Sequence, residues 1–392
     1  MRRKKLIIIS HTEHFSTNGQ ITGWGPTVNE IDHLADHWEE VIHVACLHPG
    51  EAPPSSRPYT RANVRFVPID PTGGKNLRDK PGIIFQMPAV LRKVARAIRG
   101  ASHVQFRAPT GIGVYLLPAF SFLFRRDFVF WVKYAGDWGA RKPAASYRFQ
   151  RWWLKKNYAA CPVTINGSWP GQPEHCISFE NPCLTEEELS DGKLVQEQKR
   201  FNGPFRLAFV GRLENEKGVD RIVEALKCNN LRLIETMDFV GDGPKRRKYE
   251  EQCSALEGKA VFHGFLDKAG VHRILSKAHF FILPSTSEGF PKVIAEAACY
   301  GGIPVVSDVG SIGQFVKDGT NGFLWKPTGT ESFMTILERA LSSDAEDLKL
   351  KSTNVCRLAG RFTFDHYRRN LELHVLDEPL APVCRVRSGS TN

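Results

Sequence analysis

The sequence predicts an α/β fold of two domains, each a doubly wound, mostly parallel sheet. Three observations predict it. A chain of 392 residues is long enough to bury two cores. Short apolar runs alternate with segments of helical spacing and glycine-bearing loops, which is the rhythm of βαβ units. A polar, charged stretch over 185–202 reads as a linker that divides this rhythm into halves.

Residues 6–10 (LIIIS) open the chain as a buried strand. The basic residues before them look like the start of a signal peptide, but four consecutive apolar residues are too few for its hydrophobic region. A long polar loop is expected over 11–20, then Gly23, Trp24, Gly25 and Pro26, then a helix marked by Val28, Ile31, Leu34 and Trp38. A strand over 41–45 completes a βαβ unit. The Gly-x-Gly ending at Gly25 fits a flexible turn as well as a phosphate contact.

Met87, Leu91, Val94 and Ile98 recur at helical spacing, and Gly100 stops that helix. Strands are expected over 103–107 and 128–132. Between them residues 108–124 are uncharged, yet they contain Pro109, Gly111, Gly113 and Pro118. A helix of that length would reach only about 26 Å against a bilayer core of about 30 Å, so a buried strand, loop and helix is the better reading. Lys133, Tyr134 and Asp137 follow the second strand, where open α/β sheets place ligands; a structural turn is the competing account.

Residues 147–156 form an amphipathic helix with Phe149, Trp152 and Trp153 on one stripe and Arg148, Arg151 and Lys155 on the next. Such a helix suits an anionic membrane surface. It also suits ordinary packing of the tryptophans into a core. Strands at 162–165 and 176–179 end the first half at Asn181 and Pro182.

The second half opens with a strand over 206–210, the loop Gly211, Arg212, Leu213 through Lys217 and Gly218, and a helix carrying Val219, Ile222, Val223 and Leu226. Two cations near one loop suit a diphosphate, Arg212 through its planar fork and Lys217 as a point charge. Either cation alone reads equally as part of a solvated loop. Residues 237–241 make a strand ending in Gly241, and residues 261–266 make another, with Gly264 and Phe265 at its end. Further strands are expected at 280–283, 303–306 and 323–325, with helical spacing over 333–341 and again over 364–375.

Between the strands at 280–283 and 303–306 lies the most informative stretch. It places Glu288, Gly289 and Phe290 in a loop, Pro291 at a first helical position followed by Lys292 and Val293, Glu296 more than a turn on, and Gly301 with Gly302 past the end. A helix start offers free N–H groups and the positive end of a dipole, which favours a phosphate. Carboxylates accept from sugar and ribose hydroxyls. Taken singly, each Glu also reads as a solvated acid.

The Glu-x7-Glu spacing around Gly-Phe-Pro resembles the signature of retaining GT-B glycosyltransferases of family 4, the group 1 type. Gly-Arg-Leu-x-x-x-Lys-Gly over 211–218 matches that family's diphosphate motif position for position. The resemblance is strong over 205–325 and covers the first half only in its βα rhythm. It implies two Rossmann-like domains facing across a cleft: 1–190 on the acceptor side, 203–362 binding the nucleotide sugar, and 363–392 crossing back to the first domain. It implies contacts to the donor sugar from Glu288 and to the ribose from Glu296. Arg212 and Lys217 would hold the diphosphate, Gly25 and Gly211 would approach it, and Gly241, Gly264 and Phe265 would flank the nucleotide. Gly289, Phe290, Pro291, Lys292 and Val293 complete the donor site. Many members carry a His near Asp137 and this sequence does not, which leaves Asp137, with Tyr134 and Lys133, as the candidates near the reacting sugar.

Composition limits the alternatives. Hydrophobic content of 42% with 24% charged residues indicates a soluble globular chain. Nine cysteines without a Cys-x-x-Cys pair argue against a disulfide framework or a zinc knuckle and suggest a reducing, cytoplasmic setting. Of the net charge of +11, residues 92–156 hold fourteen Lys or Arg against two acids, while the remainder holds 39 basic and 40 acidic residues. The basic excess is therefore one segment's property. No nucleic-acid module accompanies it, so a nucleic-acid partner is not expected. No Asp-x-Asp occurs, and no metal or other cofactor is expected. The expected activity is transfer of a hexose, with retention, from a nucleotide diphosphate sugar such as UDP-glucose to a glycan or lipid-linked acceptor in polysaccharide synthesis. A sugar-nucleotide epimerase or hydrolase of the same architecture and a basic nucleic-acid binder are the alternatives.

Overall fold

The computed structural model describes residues 4–71, 82, 85–124, 127–228, 231–256 and 258–376. In chain order the first domain runs β1 (Lys5–Thr17), β2 (Gln20–Trp24), α1 (Gly25–Ala35), β3 (Glu40–Leu47), β4 (Ser56–Pro58), β5 (Val64–Ile69), α2 (Met87–Ala97), β6 (His103–Ala108), α3 (Gly113–Phe122), β7 (Val129–Tyr134), α4 (Ala145–Lys155), β8 (Val163–Ile165) and β9 (Cys176–Ser178). After α5 (Glu186–Gln198) the second domain runs β10 (Phe205–Val210), α6 (Val219–Cys228), β11 (Ile234–Val240), α7 (Arg246–Cys253), β12 (Ala260–Gly264), α8 (Lys268–Lys277), β13 (Phe280–Leu283), α9 (Lys292–Cys299), β14 (Ile303–Ser307), α10 (Ile312–Phe315), β15 (Phe323–Trp325), α11 (Phe333–Leu341) and α12 (Ala345–Ala359). A final helix, α13 (Phe364–Leu371), follows.

The parallel strands of the first sheet lie in the order β5-β3-β1-β6-β7-β8-β9, and β2 and β4 add antiparallel to the far end of β1. The second sheet runs β12-β11-β10-β13-β14-β15, all parallel. Each sheet reverses its winding beside its first strand, at β1 and at β10. Connections leave such a point to opposite faces, and the crevice between them receives ligands. Burial on both faces explains why Leu6 to Ile9 and Phe280 to Leu283 are unbroken apolar runs: all eight residues are buried.

Separate cores support the two domains. A third cluster joins Leu6, Ile8, Trp38 and Trp131 of the first domain to Tyr367, Leu371, Val375 and Leu376. The chain therefore does cross back after the second domain, through α13 and the turn after it. The tail over 377–392 lies outside the described residues.

Several expectations change. The loop expected over 11–20 is a β-hairpin: β1 pairs with β2 in the register Thr17↔Gln20. Asn18 and Gly19 both adopt positive φ at its tip, the backbone a two-residue hairpin turn requires. The linker expected over 185–202 contains α5, started by a capping box in which Thr185 and Glu188 satisfy each other's backbone N–H groups. Pro291 is the N-cap of α9 rather than its first residue. The uncharged stretch over 108–124 does follow the expected strand, loop and helix: the end of β6, a turn and the ten-residue α3, which runs on through Pro118. Among the described residues no helix is long and apolar enough to cross a membrane.

Candidate functional site

The loops after β10 and β13 meet. Gly218 turns the first at φ +76, and a side chain there would strike the Pro284 carbonyl oxygen at 2.1 Å, so only glycine allows the approach. The Thr286 backbone N–H donates to the Glu216 carbonyl, 2.9 Å, and ties the loops edge to edge. Across this contact the Lys217 ammonium lies 2.6 Å from Glu288 Oε1, which also accepts from the Ser285 hydroxyl at 2.8 Å. The sequence places a cation and a carboxylate in separate loops; the fold makes them one ion pair.

The facing wall belongs to the first domain and ends at Ser10 and Thr12 on β1. Its floor is a chain of polar groups: Ser10 Oγ to His43 Nε2 at 2.7 Å, His43 Nδ1 to the Tyr59 hydroxyl at 2.5 Å, and that hydroxyl to His14 Nε2 at 2.7 Å. His14 Nδ1 lies 3.0 Å from the Thr12 carbonyl, which only accepts, so Nδ1 carries the proton. Burial holds His14 down to about 4 and His43 well below its ordinary value, so both rings are neutral. The proton pattern is then fixed. Tyr59 donates to His14, accepts from His43 Nδ1, and leaves His43 Nε2 to accept from Ser10. Ser10 Oγ in turn accepts from the Thr12 N–H at 3.2 Å and lies 3.0 Å from the Thr12 hydroxyl, which carries the chain to the cleft wall.

Beside it lies a buried charge cluster. Glu30 Oε1 is 2.9 Å from an Arg107 guanidinium nitrogen and 2.5 Å from Lys133 Nζ, and Glu30 Oε2 is 3.3 Å from Lys292 Nζ of the second domain. Burial opposes ionisation of Glu30, but the three cations overcome it and hold the carboxyl far below its usual range. Lys133 is pushed down to about 7, burial outweighing the attraction of Glu30. The two walls enclose a cleft of about 900 Å³.

The expected site residues divide. Lys217, Glu288, Gly289, Phe290, Pro291 and Lys292 line the cleft. Phe290 is nevertheless mostly a core residue, its ring stacked 4.7 Å from Phe362, and Val293 packs against the same core. Gly25 sits at the start of α1 with its N–H on the Ser55 carbonyl, between two lining residues, Trp24 and Pro26. Gly211 and Gly241 abut each other at the ends of β10 and β11. Arg212 points to solvent, 3.3 Å from Glu214. Gly264 closes β12, and Phe265 is exposed beyond it. Glu296 is half-buried inside α9; burial raises its carboxyl, with Lys268 and Lys292 pulling the other way. Asp137 caps its own turn, accepting from the Gly139 N–H at 2.9 Å, and burial raises its carboxyl. Tyr134 is buried edge-on against Trp138. The structural turn thus describes Asp137 and Tyr134, while Lys133 reaches Glu30. Sequence reasoning missed Ser10, Glu30, His43, Tyr59 and Arg107. Glu30 beside the apolar positions Val28 and Ile31, and Arg107 beside Phe106 and Ala108 near the end of β6, were the available signals.

Residues 191–354 match the family model described as glycosyl transferases group 1. An uncharacterized glycosyltransferase of Methanocaldococcus jannaschii is 31% identical over 186 residues, 46% of this chain and 44% of its own length. A glycogen synthase of Mycobacterium tuberculosis is 30% identical over 146 residues, 36% of this chain and 35% of its own. The matches thus span less than half the length of these relatives. Among solved structures, the lipopolysaccharide outer core galactosyltransferase WaaB aligns over 95% of this chain and 99% of its own with a TM-score of 0.66 at 16% identity. Anabaena HepE, solved with UDP and glucose, aligns over 94% of this chain and 98% of its own with a TM-score of 0.66 at 17% identity. The chain therefore has the GT-B architecture of these neighbours, and residues 191–354 of its second half match the glycosyl transferases group 1 model.

Proposed function

We propose that this chain transfers a hexose from a nucleotide diphosphate sugar, with UDP-glucose or a related UDP-sugar as donor, to a glycan or lipid-linked saccharide acceptor in polysaccharide or glycoconjugate synthesis. The observation that carries the reading is the Lys217–Glu288 pair at the cleft, at a β10 switch point whose loop bears the diphosphate motif. An ammonium has three donors, so Lys217 keeps Glu288 and still reaches a phosphate; Glu288 retains lone pairs for sugar hydroxyls. Preorganised donors of this kind contribute about 3–4 kcal/mol each to stabilising the charge that develops as the sugar leaves.

Lys217 supplies countercharge for the diphosphate from the cleft, and Arg212, which extends into solvent from the same loop, turns in on the bound donor, so the reaction needs no divalent metal; unchanged turnover in EDTA is the expected result. Lys217 and Ser285 both hold Glu288 Oε1, which orients the carboxylate toward the donor sugar's hydroxyls rather than as a nucleophile at the anomeric carbon. Attack from the leaving-group face, with the departing phosphate taking the acceptor proton, therefore accounts for retention. Thermal-shift screening against a panel of sugar nucleotides tests the donor, and NMR of the anomeric proton in the product tests retention. An inverted product would refute the mechanism, and a free or epimerised sugar made regardless of acceptor would favour the epimerase or hydrolase alternative.

An anionic membrane surface is the proposed location. The rings of Phe122, Phe149, Trp152, Trp153 and Tyr158 form one cluster with neighbouring centroids 5.1–6.1 Å apart. Trp152 is 47% exposed, and Phe122 and Leu123 exceed 70%, while Trp153 is half-buried against the first-domain core with its indole N–H on Ser121 Oγ. Arg148, Lys155 and Lys156 stand exposed around them. Aromatic rings beside cations are the composition of an interfacial anchor, each cation near the surface adding about 1 kcal/mol. Flotation with anionic vesicles at low salt should carry the chain upward, and Trp152→Ser with Phe122→Ser should leave it in the pellet fraction; a wild-type chain that stays behind removes this location.

A further inference from the structure

The charge cluster on the first-domain wall is unbalanced. Arg107, Lys133 and Lys292 converge on Glu30, the only carboxylate within ion-pair distance of any of them among the described residues. Arg107 and Lys292 are charged and Lys133 carries part of a charge near neutral pH, so the three on one acid leave a surplus of between one and two positive charges. Glu30 offers no more, since Oε1 is shared by Arg107 and Lys133 and Oε2 faces Lys292. Both first-domain cations are buried, Arg107 at 9% and Lys133 at 5% exposure, so water does little to compensate them. Lys133 also lies 4.8 Å above the Tyr367 ring, a weak partner for a full charge.

A surplus of this kind, held in place and open to a cleft, is a counter-ion site. All four residues line the cleft, Glu30, Arg107 and Lys133 on the first-domain wall and Lys292 reaching them from the wall that carries Lys217 and Glu288. We propose that Arg107 and Lys133, fixed by Glu30, form a subsite for an anionic group carried by the acceptor, a phosphate or a carboxylate. The identification of its bearer as the acceptor rests on the transferase reading; the anion site itself does not. The guanidinium supplies the geometry. Its Nε is fixed on Gln105 Oε1 at 2.9 Å and one terminal nitrogen on Glu30, which orients the fork. Lys133 supplies a directed point charge. The transferred hexose would thus go to a saccharide bearing an acidic group near its acceptor hydroxyl, which requires an earlier step that supplies a phosphorylated or uronic acid sugar.

The test uses the full chain saturated with UDP, titrated calorimetrically with inorganic sulfate as the tetrahedral probe and with acetate as the carboxylate probe, against chloride at matched ionic strength. One of the two should bind to the UDP-loaded chain; sulfate identifies a phosphate-bearing acceptor and acetate a carboxylate-bearing one. Lys133→Gln and Arg107→Gln should each weaken that binding at least tenfold while UDP affinity changes less than twofold, which also reports that the variants fold. Absence of binding by either anion overturns the proposal, as does unchanged binding in both variants. Displacement of the anion by UDP also overturns it, because the cluster would then belong to the donor's diphosphate. If UDP itself does not bind, the donor reading fails, and titration of the UDP-free chain still decides the anion site.

Discussion

Lys217 and Glu288 are 71 residues apart in sequence, in loops that leave different strands, and their charged atoms meet at 2.6 Å. The pair holds together the two halves of the proposed diphosphate and sugar site. Lys217→Ala removes the phosphate donor and leaves Glu288 with only Ser285 as partner. The expected loss in kcat is about 10²- to 10³-fold, the scale for one preorganised donor. Glu288→Gln should cost a similar factor. Because the residues act as a unit, the double variant should fall well short of the product of the single losses. Steady-state kinetics with a UDP-sugar decide the point, and multiplicative effects would show that the ion pair is incidental to function.

The same loop predicts a stability effect. Gly218 adopts φ +76 with its α-carbon against the Pro284 carbonyl. Gly218→Ala adds both a strained backbone and a collision with main chain, neither of which a side-chain rotation relieves. A loss of about 1–3 kcal/mol in urea denaturation is expected, with weakened UDP binding because the loop carrying Lys217 must move. A neutral substitution would mean the loop is far softer than its contacts imply.

Much of this arrangement is legible in the sequence because it is local. The switch-point strands announce themselves as unbroken apolar runs, and the Arg212–Lys217 and Glu288–Glu296 spacings are fixed by a loop and a helix. The hairpin tip Asn18-Gly19 and the capping box Thr185 to Glu188 were equally local, and reading the polarity of their surroundings as loop and linker obscured them. What sequence does not carry is convergence. Glu30, Arg107, Lys133 and Lys292 come from α1, β6, β7 and α9, and none is unusual among its own neighbours until the two sheets face each other. The aromatic helix α4 failed in another way: helical periodicity gives a stripe but not the surface beneath it, and here Gln150 and Leu154 face inward while Trp152 does not.

The Tyr59 hydroxyl joins His43 to His14 with a determined proton pattern. Tyr59→Phe leaves His14 Nε2 without its donor and His43 Nδ1–H without its acceptor, both buried. An unsatisfied buried polar group costs about 1–3 kcal/mol, so the expected destabilisation is about 2–5 kcal/mol. His43 is then free to turn, and Ser10 keeps only its contacts to Thr12. If Ser10 aligns the acceptor, KM for acceptor should rise in this variant with donor KM unchanged. Equal effects on both substrates would confine the relay to a structural role.

Acid should weaken the fold before it protonates the carboxylates. Burial holds His14 and His279 at about 4, and His43 well below its ordinary value, whereas all three titrate near 6.5 once unfolded. His279 has a geometric reason to resist: its Nδ1 accepts from the Arg206 backbone N–H at 2.9 Å and has no room for a proton. Between pH 6.5 and 4 the unfolded chain therefore binds protons that the folded chain refuses. Stability falls as pH drops through that window, by about 1.4 kcal/mol per unit for each imidazole, or about 2–3 kcal/mol each by pH 4.5. Glu30, whose carboxyl is held low, adds to the loss only below the unfolded carboxyl range near 4.5. Urea unfolding at pH 7.5, 6.5, 5.5 and 4.5 measures this directly: a shallow slope is expected above 6.5, where Lys133 and Lys199, both pushed down to about 7 by burial, are still gaining protons, and a steeper decline beneath it. His279→Gln, which can still accept the Arg206 N–H, should flatten the decline by one imidazole's share; a profile level down to pH 4.5 would contradict the burial of all three rings.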